Sequence, residues 1–261
     1  MVRFLTLALL VVGRSSSTSE AFFTSSSSSA VSSKFRKSLT SSTKARSSFG
    51  LVIVNNSGSR KFSSSTATST SSLNMSKKVL VPIADGSEEI ETTCITDTLT
   101  RFGASVTIAS VMPDDSLVCT MSRGIKVVAD MSIEDAAKEE YDLIVCPGGM
   151  PGAAHLRDSK TLVELLEKQK SASKPYGAIC AAPAVVLATH GMVDPKSTCY
   201  PAPQFREKLV DPVDDAVVVT GNGQVTTSKG PGTALLFGLQ LGEQLFGKEA
   251  RDKIQKEMLV D

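Results

Sequence analysis

The sequence predicts an α/β fold for its C-terminal part: a doubly wound, mostly parallel sheet with helices on both faces. Three observations predict it. Short apolar runs rich in Val and Ile alternate with longer amphipathic stretches, as strands buried between covering helices do. Turn-forming glycines and prolines punctuate the boundaries between the two kinds of segment. The composition also breaks sharply near residue 77, so the pattern belongs to only one part of the 261-residue chain.

Residues 1–76 hold nine Lys or Arg and a single acid, Glu20, among long Ser and Thr runs; residues 77–261 hold 19 Lys or Arg and 26 Asp or Glu, a net of −7. The overall charge of +1 therefore averages two unlike parts. The second part is long enough to bury one core and fits a single domain, 77–261. Its acidity and its lack of a basic stripe argue against nucleic acid as a partner.

The first part reads as an address. Arg3 precedes "LTLALLVVG", too short to span a membrane but suited to the apolar region of a signal peptide, and predicts no stable membrane association of the mature chain. Ser19 and Ala21 offer a cleavage site before Phe22, and the Ser-rich, basic, acid-free stretch after it has transit-peptide composition. A signal peptide joined to a transit peptide predicts delivery to a plastid of the secondary type. A secreted protein with a Ser/Thr linker and a mitochondrial presequence are the alternatives.

From Lys77 the elements run in order. "KKVLVPIADG" is a strand ending in a turn, and "SEEIETTCITDTLTRFG" is a helix closed by Gly103. "SVTIASV" is a second strand, and Val118 to Asp130 reads as a hairpin-like insertion. "DLIVCPGG" and "PYGAIC" are buried strands, with the helix "TLVELLEKQK" between them. "AAPAVVLATHG" reads as a helix with Pro183 in its first turn and Gly191 past its end. "AVVVT" is a further strand; "GNGQVTTSKGPGT" lacks the spacing of a phosphate-binding loop and reads as a turn before the capped helix "GTALLFGLQLGEQLFG".

In such sheets ligands bind beyond the carboxyl ends of the strands. Three strand ends carry reactive or permissive residues: Glu88, Glu89 and Glu91 after the first, Gly148 and Gly149 after "DLIVC", and Cys180 after "PYGAI". At a strand-to-helix turn the amides and dipole of the helix start would favour a thiolate at Cys180. By itself the residue fits a small buried side chain equally well. The glycines suit either a tight turn or amides approaching a substrate oxygen, with the amide of Ala181 contributing.

Glu91 shares a helical stripe with Ile95, Leu99 and Phe102, which predicts a buried carboxyl. Such a group holds its proton, and can donate it to a thiolate or shuttle it; the other reading is a helix cap. Glu88 and Glu89 read as first-turn acids favoured by the dipole. His190 suits a helix end, and His155 is a helix or loop residue, so a Cys–His pair is not expected. The five cysteines, at 94, 119, 146, 180 and 199, form no CxxC and predict neither a disulfide framework nor a metal site.

The motifs "ADGSEEIE", "SRGIKV", "YDLIVCPGGMPGA", "AICAAPAVVL" and "TSKGPGTALLFGL", in this order over residues 77–258, resemble the ThiJ/PfpI family. The resemblance implies a flavodoxin-like α/β domain, usually homodimeric, with no cofactor and no metal. It implies an elbow cysteine at Cys180, a protonated glutamate at Glu91, and pocket backbone from Gly148, Gly149 and Ala181. Arg101 and Arg123 match arginines near the dimer-side rim of the site. Two departures stand out: Tyr200 occupies a place where relatives carry a histidine near the cysteine, and Ala181 stands where the protease-like branch has one. The implied activity is glutathione-independent detoxification of small aldehydes, methylglyoxal and glyoxal, as a glyoxalase or deglycase. A redox-sensing chaperone that oxidises Cys180, and a hydrolase of another small electrophile, are the other readings.

Overall fold

The computed structural model describes residues 76–113 and 116–261. The presequence features read from residues 1–75 lie outside them. The described chain opens with strand β1 (Lys78–Ile83), helix α1 (Glu89–Arg101) and β2 (Ser105–Ser110). A hairpin of β3 (Val118–Thr120) and β4 (Lys126–Val128) comes next, then β5 (Met131–Ser132), α2 (Ile133–Ala136) and β6 (Leu143–Cys146). After these stand α3 (Gly152–Asp158), α4 (Lys160–Ser171), β7 (Tyr176–Ile179) and a short π segment, Pro183–Leu187. The chain ends through α5 (Pro203–Arg206), β8 (Val217–Thr220), β9 (Val225–Ser228), α6 (Ala234–Phe246) and α7 (Lys248–Glu257).

The main sheet has the order β5-β2-β1-β6-β7-β9-β8, and only β8 runs antiparallel to its neighbour. In β1 the side chains alternate between two cores. Val79, Val81 and Ile83 pack with Ile95 and Leu99 of α1 and Phe237 of α6, whereas Leu80 packs on the other face with Leu156, Leu162 and Leu166 of α3 and α4. That period-2 division of a fully apolar run is what two helical layers demand. The flavodoxin-like arrangement is thus present, with helices on both faces, and the hairpin β3–β4 stands apart as its own small sheet.

Two expectations need correction. "AAPAVVLATHG" is no full helix: its only regular part is the five-residue π segment, with turns from there to Gly191. The strand β9, "VTTS", carries no apolar alternation, yet it lies between β7 and β8 and all four of its residues are buried. Its polar side chains are accommodated by specific partners: Thr226 donates to Gln244, Thr227 accepts the Thr198 amide, and Ser228 donates to the Ala216 carbonyl. No helix among the described residues is long and apolar enough to cross a membrane.

Candidate active site

The strands run parallel, but the order in which they are added reverses at β1, with β2 on one side of it and β6 on the other. At that switch point the loops after β1 and β6 meet, and Cys180 stands beside them at the end of β7. Cys180 has φ +65°, a left-handed conformation that costs an L-residue on the order of 1–3 kcal/mol. Its backbone is held on both sides. The N–H donates to Ser228 O at 2.9 Å, and the carbonyl accepts the Tyr200 amide at 2.8 Å. The strained elbow turns the sulfur out of the sheet, where the amides of Gly149 and Ala181 face it. Because only a short π segment comes after it, the donors are those two individual amides rather than the dipole of a long helix.

Glu91 lies fully buried on the predicted stripe of α1. Its Oε2 accepts the Gly148 amide at 2.7 Å, while Oε1 is buried without a hydrogen bond of good geometry among the described residues. Burial raises the carboxyl to about 7, a rise that a neighbouring Glu88 reinforces and the Gly148 amide and the Cys180 thiol restrain. Burial, together with a charged Glu91, pushes the Cys180 thiol up to about 12, and the Gly149 and Ala181 amides pull against that rise. The expectation of a thiol lowered by its helix start is therefore corrected: its ionisation depends on which of the two groups holds their shared proton.

The glycines serve close approach first. A Cβ on Gly148 would stand 2.6 Å from the Cys180 Cβ, and one on Gly149, at φ +83°, would stand 2.3 Å from Gly86 O. The Gly148 amide is committed to Glu91 and its carbonyl accepts the Glu88 amide at 3.1 Å. Only Gly149 and Ala181, not Gly148, offer amides toward the sulfur.

Glu88 is the N-cap of α1, accepting the Glu91 amide at 2.8 Å. Glu89 is more than a dipole residue: it is buried and accepts from Ser122 Oγ at 2.8 Å and Arg123 N at 2.7 Å, which ties the hairpin to α1. Burial raises its carboxyl, but the Ser122 hydroxyl and surrounding amides outweigh that and leave it lowered. Arg123 thereby reaches the cavity, whereas Arg101 does not. Arg101 sits at the far end of α1, paired with Asp97 at 2.7 Å, so its placement on the rim is corrected for the single chain.

The cavity, of about 390 Å³, is lined by Cys180, Ala181, Gly149, Arg123 and Tyr200, together with residues that the sequence pattern does not single out: Ser122, Met150, Phe205 and Pro231. The spacing of Phe205 from Tyr200 in "YPAPQF" is the one signal that could have found it. Neither histidine lines this cavity: His155 is exposed on α3, and the His190 ring bonds Arg157 O at 2.9 Å. No group of His, Cys, Asp or Glu among the described residues is placed to hold a metal ion.

A model of the DJ-1/PfpI family matches residues 77–244, from β1 into α6. The chain belongs to that family. A Drosophila melanogaster relative, Protein dj-1beta, is 40% identical over 190 residues, covering 71% of this chain and 98% of its own. The Arabidopsis thaliana Protein DJ-1 homolog B is 45% identical over 186 residues, 70% of this chain. The chain spans less than half of the two Arabidopsis relatives it matches, 41% and 47% of their lengths. A Caenorhabditis elegans relative named glutathione-independent glyoxalase DJR-1.2 is 35% identical over 186 residues, 70% of this chain and 95% of its own. Among solved structures, oxidized Toxoplasma gondii DJ-1 superposes with a TM-score of 0.66 at 43% identity, covering 70% of this chain and 98% of that one. The matched segment contains the elbow, the buried carboxyl and both walls of the cavity.

Proposed function

We propose that the protein is a cofactor-independent glyoxalase acting on methylglyoxal and glyoxal through Cys180. The observation that carries the reading is the pairing of a left-handed elbow cysteine with a buried carboxyl raised to about 7. When the pair holds one proton, its place depends on the donors around each group. With the proton on Glu91, the sulfur anion receives the carboxyl O–H and the amides of Gly149 and Ala181. With the proton on sulfur, the buried carboxylate receives two donors, the S–H and the Gly148 amide, against three for the thiolate. Donor placement favours thiolate beside neutral acid.

The thiolate adds to the aldehyde carbon to form a hemithioacetal, and the amides facing the sulfur take up the developing oxyanion. Glu91 moves a proton between the two adjacent carbons, which leaves a thioester. Water hydrolyses it to the 2-hydroxy acid, and the thiol plays the part that glutathione plays elsewhere. The C. elegans relative's name supports this assignment. Removal of early glycation adducts is the same thiol chemistry on a larger substrate. Purified protein should form lactate from methylglyoxal without glutathione, and Cys180→Ser should abolish it; activity that survives the substitution overturns the mechanism.

A redox role is favoured by one observation, the oxidized state of the related Toxoplasma structure. Peroxide treatment and then mass spectrometry should show selective oxidation of Cys180 with no aldehyde turnover if sensing is the principal function. The chain is proposed to be a homodimer. Exposed Ile90 of α1, Ile125 at the hairpin tip, and Val118 and Val128 paired across the hairpin supply an apolar face for a second copy. Sedimentation should show a dimer that Ile125→Asp weakens. Plastid delivery by the first 76 residues is likewise proposed, and retention of a fluorescent fusion in the secretory pathway would contradict it.

A further inference from the structure

The cavity lining falls into two groups of different chemistry. Glu88, Ser122 and Arg123 come from the start of α1 and the hairpin, which Glu89 ties together. Tyr200, Phe205 and Pro231 come from the segment after the π turn and from the link between β9 and α6. The second group is apolar apart from one phenol, and the glyoxalase chemistry gives it no task.

Its position relative to the sulfur is defined by Gly230. A Cβ added there would lie 3.4 Å from Cδ2 of Tyr200 and 4.0 Å from Sγ of Cys180, so ring and sulfur border one small space that this glycine leaves open. The ring is not loosely placed. The Tyr200 amide donates to Cys180 O at 2.8 Å, and Phe205 meets the ring edge-on with centroids 6.3 Å apart at 86°. An aromatic pair in that geometry is a rigid apolar wall that loses little side-chain freedom when covered. Yet Tyr200 is still 43% exposed, so apolar surface next to the reacting sulfur faces the cavity uncovered.

We propose that this wall selects 2-oxoaldehydes bearing an aromatic or branched apolar substituent over methylglyoxal. The proposal rests on the glyoxalase reading and names its substrate class. In that reaction the sulfur bonds the aldehyde carbon, and Glu91 carries that carbon's hydrogen as a proton to the neighbouring carbonyl carbon. Water then releases the acid, so R–CO–CHO and one water become R–CH(OH)–COOH with no oxidant or reductant. The substituent R stays attached throughout, two carbons from the sulfur, where it lies against Tyr200 and Phe205. A methyl group covers little of that surface, whereas a phenyl or branched group covers much of it in every intermediate.

The test uses the purified full chain with phenylglyoxal and methylglyoxal, measuring mandelate and lactate without glutathione. The expected kcat/KM ratio is about tenfold or more in favour of phenylglyoxal. Phe205→Ala and Tyr200→Ala should each lower that ratio by about tenfold, and Tyr200→Phe should keep it, since the ring remains. Within one preparation the ratio does not depend on the fraction that folds. Preference for methylglyoxal, a ratio unmoved by both alanine substitutions, or a Tyr200→Phe loss equal to that of Tyr200→Ala each overturns the proposal. Formation of neither product by the unsubstituted protein overturns the glyoxalase reading instead.

Discussion

The Gly148 amide donates to Oε2 of Glu91 at 2.7 Å, across 57 residues of chain. That bond joins the loop after β6 to the helix after β1 and leaves the other carboxyl oxygen buried without a backbone donor. A carboxyl so placed is fully buried and raised to about 7.

Glu91→Gln keeps the acceptor for Gly148 but carries no titrating proton. Turnover should fall by roughly 10²–10⁴-fold, the scale of a lost general acid and base. In the unsubstituted protein, iodoacetamide alkylation of Cys180 should rise through about pH 7 as the pair gives up its first proton. In the variant that step near 7 should vanish. A profile unchanged by the substitution removes Glu91 from the mechanism.

The same Cys180–Glu91 pair makes stability depend on pH. Its first proton leaves near 7 in the folded state, whereas the unfolded chain's carboxyl releases one near the ordinary 4.5, so between those values the folded state keeps a proton that the unfolded chain has lost. The contribution is complete below about pH 4.5 and is lost as pH rises through about 7, on the order of 3 kcal/mol. Chemical denaturation between pH 5 and about 8 should show this decline in the unsubstituted protein and a flatter curve in Glu91→Gln.

The left-handed backbone at Cys180 makes a separate prediction. Cys180→Gly should be more stable than Cys180→Ala by about 1 kcal/mol, because glycine adopts φ +65° without strain. Cys180→Val should be the least stable of the three, since a β-branched side chain tolerates that region poorly. Melting temperatures in that order check the elbow independently of activity.

Gly148→Ala brings a Cβ to 2.6 Å from the Cys180 Cβ and 3.0 Å from the Ala181 nitrogen. Backbone must shift to admit it, so a loss of about 1–3 kcal/mol is expected. Urea denaturation measures the loss, and slower alkylation of Cys180 should accompany it.

Glu89→Ala should release the hairpin from α1 by removing the acceptor for Ser122 and Arg123. Because the Glu89 carboxyl is lowered, its contribution is present above about pH 4.5 and fades as pH falls through its folded value. Faster tryptic cleavage after Arg123 at neutral pH, with the core intact, is the expected readout.

Much of this is legible from local pattern. Val79 to Ile83 reads as a doubly buried strand because a parallel sheet covered on both faces needs an unbroken apolar run. Glu91 reads as buried because it shares a helical stripe with Ile95 and Leu99, and that stripe faces the core. Cys180 reads as a strand-end residue because the apolar run "PYGAI" stops before it and Pro183 suits the first turn of the element that follows. Where polar residues are buried by specific partners, the pattern is silent: β9 has no apolar alternation, and its Thr and Ser side chains are satisfied by residues distant in sequence.

By itself, then, the order of apolar runs, turns and helical stripes determined the α/β class, the strand ends that carry chemistry and the burial of Glu91, since each depends on contacts a few residues apart. Only the tertiary structure decided that Gly148 serves Glu91 while Gly149 and Ala181 serve the sulfur, that Glu89 anchors the hairpin, that Arg101 stands away from the cavity, and that Tyr200 and Phe205 wall it. Those outcomes depend on which loops the sheet order brings together and on the direction of individual N–H groups, and neither is encoded in any one segment's periodicity.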